Sequence, residues 1–146
     1  MRSFVGEIES LLDELRNIRG VLWRMIDEME KGWAPDPDLV DHFYDFYAKL
    51  VTKTAQIHRE FIVEPYLAES EPYRSVEETV SKLFELSKKY EKAIIEYAKA
   101  EDKERIRILK ALSSTIKKYI DEIETLLEEL EEEVKEEEEE KWMLGL

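Results

Sequence analysis

Phe4, Ile8, Leu11, Leu15, Ile18, Leu22, Met25 and Met29 recur at alternating steps of four and three residues. Few patterns constrain a chain more. An α-helix turns every 3.6 residues, so a 4-3-4-3 repeat keeps one apolar seam on one side of a rod, and that seam must be covered. Val5, Leu12, Val21 and Ile26 widen the stripe to what a bundle helix needs. The spacing predicts a helix over about residues 3–31, ended by "KGWAPDPD". There Gly32 suits a left-handed cap and Pro35 cannot extend a helix.

The pattern then repeats three times. Asp36 is placed to cap a second helix, with Pro37 at its first position and Asp38 against its positive end. Its seam is Leu39, Phe43, Phe46, Leu50, Thr54, Ile57 and Phe61, over about 37–63, and the step from 50 to 54 predicts slight unwinding. "EPYLAESEPYRS" reads as a loop because of Pro65 and Pro72, and Ser75 with Glu78 reads as a capping box opening a third helix over about 76–99. The third seam is Val76, Val80, Leu83, Ser87, Tyr90, Ile94 and Tyr97. Apolar residues thin out across "KAEDKER", which predicts a tight turn, and a fourth helix follows over about 103–140. Its seam runs through Leu109, Leu112, Ile116, Tyr119, Ile123, Leu127, Leu130 and Val134.

Four amphipathic rods with short connections predict an all-α chain. The expected form is an antiparallel up-down-up-down four-helix bundle with coiled-coil-like packing. Residues 1–134 are expected to form the bundle. Residues 135–146 are expected to be an acidic overhang of the last helix with an apolar tip, since burying its glutamates would be costly.

Charge is unevenly placed. Residues 121–140 hold thirteen acids and one base, while residues 1–120 hold 23 acids and 20 bases, so the net −14 belongs mostly to one segment. The chain has no cysteine, which excludes disulfides, thiolate metal sites and a cysteine nucleophile. Charged residues reach 40% while Asn17 and Gln56 are the sole amides, a trend of hyperthermophile proteins. No apolar run is long enough to span a membrane, and "MRSFVGEIES" lacks a signal core, so a cytoplasmic protein without membrane partners is expected.

Candidate chemistry is sparse. Leu39 and Ala55 stand three residues before His42 and His58, where a di-metal bundle needs glutamates. Glu77-Glu78 has no partner at the spacing of magnesium-dependent pyrophosphohydrolases. Gly-rich phosphate loops and nucleophile elbows are missing too. No catalytic residue, metal or cofactor is therefore expected. Lys53-x4-His58 resembles the Arg-x4–6-His motif of HEPN-family helical ribonucleases, but departs from it in having lysine in place of arginine. The resemblance implies, as a third reading, an RNA-cleaving bundle.

Two features point to partners. Residues 82–118 carry eleven bases and six acids. Lys103, Arg107, Lys110, Lys117 and Lys118, with Lys89 and Lys92 on the preceding helix, are the candidate contacts to a phosphate backbone. The chain ends "EEEVKEEEEEKWMLGL", and Trp142, Met143, Leu144 and Leu146 are candidate anchors for a protein partner or a second copy. In outline this end resembles the acidic, apolar-tipped tails of bacterial single-stranded-DNA-binding proteins. The function expected is non-enzymatic: a protein-interaction or structural module. The alternative is a nucleic-acid-binding module whose lysine faces the acidic tail can screen.

Overall fold

A computed structural model of the protein describes residues 4–60, 71–143 and 145. The described residues form four helices and no strand: α1 (Phe4–Glu30), α2 (Pro37–Glu60), α3 (Glu71–Lys99) and α4 (Asp102–Met143). Each is amphipathic, and their apolar stripes share one core. Seam members Ile8, Leu11, Leu15, Ile18, Leu22, Met25 and Met29 of α1 are all buried, as the 4-3 spacing requires. In α2 the seam holds at Leu39, Phe43, Leu50, Thr54 and Ile57, with Phe46 half-buried. In α4 it holds from Leu109 to Leu130, with Val134 half-buried. Phe4 and Phe61 lie outside the described side chains.

The punctuation has a clear physical basis. Gly32 has φ +91°, and its N–H reaches the Met29 carbonyl at 3.0 Å while the Trp33 N–H reaches the Glu28 carbonyl at 3.1 Å. These are the two bonds of a Schellman cap, which satisfy carbonyls that α1 would otherwise leave open. Asp36 then caps α2: its Oδ1 accepts from the Asp38 N–H at 2.8 Å. Glu28 Oε2 accepts the Asp36 N–H at 2.6 Å, fastening the end of α1 to the start of α2.

The turn expected near residue 100 is present, and only Ala100 and Glu101 separate α3 from α4. With neither glycine nor proline there, Arg105 closes it. Its Nε donates to the Tyr97 carbonyl at 3.1 Å and its guanidinium lies 5.0 Å from the Tyr97 ring centre. Arg105→Ala is expected to cost about 1–2 kcal/mol. That is a fall of roughly 2–6 °C in melting midpoint, readable by circular dichroism.

Two boundaries differ from expectation. α3 opens at Glu71, so Ser75 lies more than a turn inside the helix and is not its cap. Pro72 explains the difference: in a first turn its missing N–H has no helical partner to lose, so it begins the helix instead of delaying it. Of the expected loop, residues 64–70 lie outside the described residues. α4 runs on to Met143 and, at 42 residues, is about 20 Å longer than α3 with its 29. Past Val134, the described side chains Lys135, Glu136, Glu139 and Met143 are exposed.

α1 packs on α2 and α4, and α3 packs on α4. Among the described residues, α2 and α3 also meet, but less closely than these three pairs.

Candidate functional site

The loosest interface carries the most informative surface. Tyr44, Val51 and His58 recur every seven residues along α2, and Glu77, Phe84 and Glu91 recur every seven along α3. The outer rungs of this ladder are made. The Tyr44 hydroxyl donates to Glu91 Oε1 at 3.1 Å, and His58 Nδ1 stands 3.4 Å from Glu77 Oε1. Helix geometry therefore puts Val51 and Phe84 on the middle rung. Both face outward: Phe84 is 50% exposed and Val51 37%. One further turn-set along α3, Ile95 is 57% exposed. Lys88 Nζ sits 4.6 Å from the Phe84 ring centre, a cation–π contact. Lone exposed apolar residues are common on any protein, but here they adjoin a loosely packed seam and share its outward side.

On and beside this ladder two phenols are held in their neutral form to higher pH than usual. Burial, then the hydrogen bond to Glu91, pushes the Tyr44 phenol up to about 12. Burial, then the neighbouring Tyr44 and Glu28, pushes Tyr90 up to about 12 as well. Both folded values lie above the ordinary 10.0, so this stabilisation is whole below pH 10 and is lost as pH rises towards 12. Tyrosinate absorbance should show at least two of the seven tyrosines ionising near 12 in the folded chain. The melting midpoint should fall between about pH 10 and 12, and by less in Tyr90→Phe.

A second polar feature lies between α1 and α2. Glu14 is 7% exposed, and its Oε1 accepts from Lys53 Nζ at 2.9 Å. Lys53 also donates to the Ser10 carbonyl at 3.3 Å. Glu14 Oε2 is buried with no hydrogen-bond partner among the described residues. Strict continuation of the α2 spacing (39, 43, 46, 50, 53, 57) puts Lys53 itself in the seam beside Thr54. The Thr54 hydroxyl bonds the Leu50 carbonyl at 2.8 Å. The Glu14–Lys53 pair thus bridges α1 and α2.

This arrangement separates the residues of the HEPN-like motif. Lys53 points to Glu14 on α1, and His58 points to Glu77 on α3. Five residues apart on a helix is about 140° around it, so the two do not address one site. His42 is exposed. Among the described residues no group of three or more His, Asp or Glu side chains could hold a metal ion.

Of the basic residues on α3 and α4, some are exposed and some already have partners. Lys103, Lys110, Lys118 and Lys92 are exposed. Arg107 pairs with Glu104 at 3.4 Å, Lys117 with Glu30 at 3.0 Å, and Lys82 with Glu122 at 3.5 Å. Lys89 donates to the Tyr119 hydroxyl at 3.2 Å and lies 5.5 Å from that ring. At the chain's end Met143 is 83% exposed, whereas the side chains of Trp142, Leu144 and Leu146 lie outside the described residues.

The recess where Leu22, Met25, Phe43, Leu86, Tyr90 and Ile116 meet is about 10 Å³, room for no more than about one water molecule. The larger hollows are open surface grooves, such as that between α1 and α4 beside Leu12, Arg16, Glu131 and Val134. Among the described residues no helix is long and apolar enough to cross a membrane.

No protein-family description matches the chain, and no curated protein or solved structure does so either. Function has to be argued from geometry. Sequence reasoning missed the packing role of Lys53, which it read only in the HEPN-like motif, and passed over Phe84. Lys53 was legible from the unbroken 4-3 spacing of α2. Phe84 was legible only once α2 and α3 were seen to pack loosely, since a phenylalanine beside a seam ordinarily belongs to the core.

Proposed function

We propose that this chain is a non-enzymatic interaction module of the cytoplasm. In this reading residues 1–134 form an antiparallel up-down-up-down bundle with coiled-coil-like packing, and residues 135–146 an acidic extension with an apolar tip. Several contacts support the order. Arg16 meets Glu131 and Glu30 meets Lys117 between α1 and α4, so rising numbers on one helix meet falling numbers on the other. Tyr44–Glu91 and His58–Glu77 do the same between α2 and α3.

The observation that carries the functional reading is the outward placement of Phe84, Ile95 and Val51 along the loosest seam of the bundle. Half-exposed aromatic and aliphatic side chains ringed by charge are the usual anchors of a protein interface. The nucleic-acid reading relies on Lys92 of α3, on Lys103, Lys110 and Lys118 of α4, where Ile106 alone is an exposed large apolar neighbour among the described residues, and on Arg107 and Lys117, which already hold carboxylates. A photo-reactive residue at position 84 or 95, with exposed Ser114 as control, separates these readings in extract of the source cells. Protein adducts at 84 and 95 but not at 114 are expected. Adducts that nuclease removes, or no adduct at either site, would falsify the interaction reading.

The composition also carries a thermal expectation. A hyperthermophile source requires a melting midpoint above about 90 °C, which calorimetry on the intact chain reads directly.

A further inference from the structure

The exposed side of α3 has a sequence order of its own. Phe84, Lys88, Lys92, Ile95 and Lys99 fall at steps of four, four, three and four. At 100° per residue all five lie within a sector of about 80°. No acid falls inside that sector between 84 and 99, because Glu85 and Glu96 lie beside it and Glu91 turns towards Tyr44. All five side chains are exposed. The stripe is apolar and basic by turns.

The chain also carries its complement. Met143, Glu139 and Glu136 run back along α4 at steps of four and three, and all are exposed. Residues 131–140 hold eight glutamates and one lysine, and Trp142, Met143, Leu144 and Leu146 follow them. Laid antiparallel on α3, Met143 comes to Phe84 and Glu139 to Lys88, with Glu136 near Lys92. Charge and apolar character match from Phe84 to Lys92, while Ile95 and Lys99 lie beyond the reach of Glu136.

A chain cannot make this match with itself. Lys82 meets Glu122 at 3.5 Å, so α4 passes the level of Phe84 near residue 122. Met143 lies 21 residues further along the same continuous helix, about 32 Å away. A rigid helix does not fold back over that distance.

We propose that the acidic end of α4, residues 136–143, docks on the Phe84–Lys92 part of the stripe of a second copy of this chain. The proposal rests on the interaction reading above and names its partner. Each copy offers one end and one stripe, so two copies can exchange ends reciprocally. Opposed charges give the contact its register and its salt dependence, and the Phe84–Met143 apolar pair gives it affinity.

The test uses purified full-length chain in sedimentation equilibrium over a range of concentrations. Reversible association is expected at low salt, weakening at about 1 M salt, where charges are screened within about 3 Å. Two variants break opposite halves: Phe84→Glu with Lys88→Glu spoils the stripe, and Met143→Glu with Glu139→Lys spoils the end. Each alone should weaken self-association by about 30-fold or more. Both change exposed positions, and unaltered melting curves will show that they still fold. Mixed, the two variants should pair one to one, because one keeps its end and the other its stripe. A chain that stays monomeric throughout, or association indifferent to either variant, or no pairing on mixing, each overturns the proposal. The broader reading can fail separately. A monomeric chain that still gives protein adducts at position 84 in extract removes only the second copy as partner, whereas absence of both removes the interaction surface itself.

Discussion

Lys53→Met should destabilise the folded chain by about 2–4 kcal/mol. The loss comes less from the missing ion pair than from what remains. Glu14 is 7% exposed, and Lys53 is the partner of its one bonded oxygen, the other being unpartnered among the described residues. Removing the ammonium leaves a carboxylate enclosed by α1 and α2 with its charge unmatched, which is the expensive outcome for a buried pair. Lys53 keeps 30% of its side chain exposed, so some water reaches the gap, and the figure sits below that for a fully enclosed pair. The companion change reverses the sign of the argument. Glu14→Leu with Lys53→Met should recover most of the loss, because position 53 falls on the apolar spacing of α2 and accepts methionine as a seam residue. Chemical denaturation of the two single variants and the double variant gives the coupling. A pair that adds without coupling would show that α1 and α2 do not enclose these groups together.

Ile116→Ala should cost a similar or larger amount, about 2–5 kcal/mol, and lower the melting midpoint by roughly 5–15 °C. Ile116 has no solvent exposure, and it lines the recess where side chains of α1, α2 and α3 converge on α4. That recess is about 10 Å³, so the truncation opens a new void between four elements that cannot all move inward together. A second isoleucine of α4, Ile106, is the control. It is 53% exposed, so Ile106→Ala should change stability by less than about 0.5 kcal/mol. Equal costs at the two positions would mean that the core does not sit where the seam places it.

The all-helical fold was legible because its information is local and periodic. The α1 seam, the Gly32 cap and the Asp36 cap each need residues only a few positions apart, and each has the structure its chemistry implies. The turn at 100–101 was legible as an interval of the seam that offers a core almost nothing, although what closes it, Arg105 reaching back to Tyr97, was not. The start of α3 was misjudged because Pro72 reads as a breaker anywhere except in a first turn. Leu86 is buried although the third seam was drawn through Ser87, because α3 turns a broader stripe inward than a single line of positions describes. The candidate surface was hardest to see. Glu14 and Lys53 lie 39 residues apart, as do few pairs whose meeting any local pattern could announce. Phe84 differs from a core phenylalanine only in how closely α2 approaches α3, a quantity set by all four helices at once.

The proposed antiparallel order exposes the α2–α3 side and directs the acidic end of α4 away from its own stripe, so both functional proposals depend on it. The chain has no native cysteine, so paired cysteines report that order without interference. Cysteines at 16 and 131, or at 30 and 117, should be bridged within one chain by a short thiol-reactive cross-linker, because these positions carry the Arg16–Glu131 and Lys117–Glu30 contacts. The exchanged pairs 16 with 117 and 30 with 131 are displaced by 14 residues, about 21 Å of helix, and should stay unbridged. Bridging of the exchanged pairs, with the first two silent, would contradict the bundle and everything built on its faces.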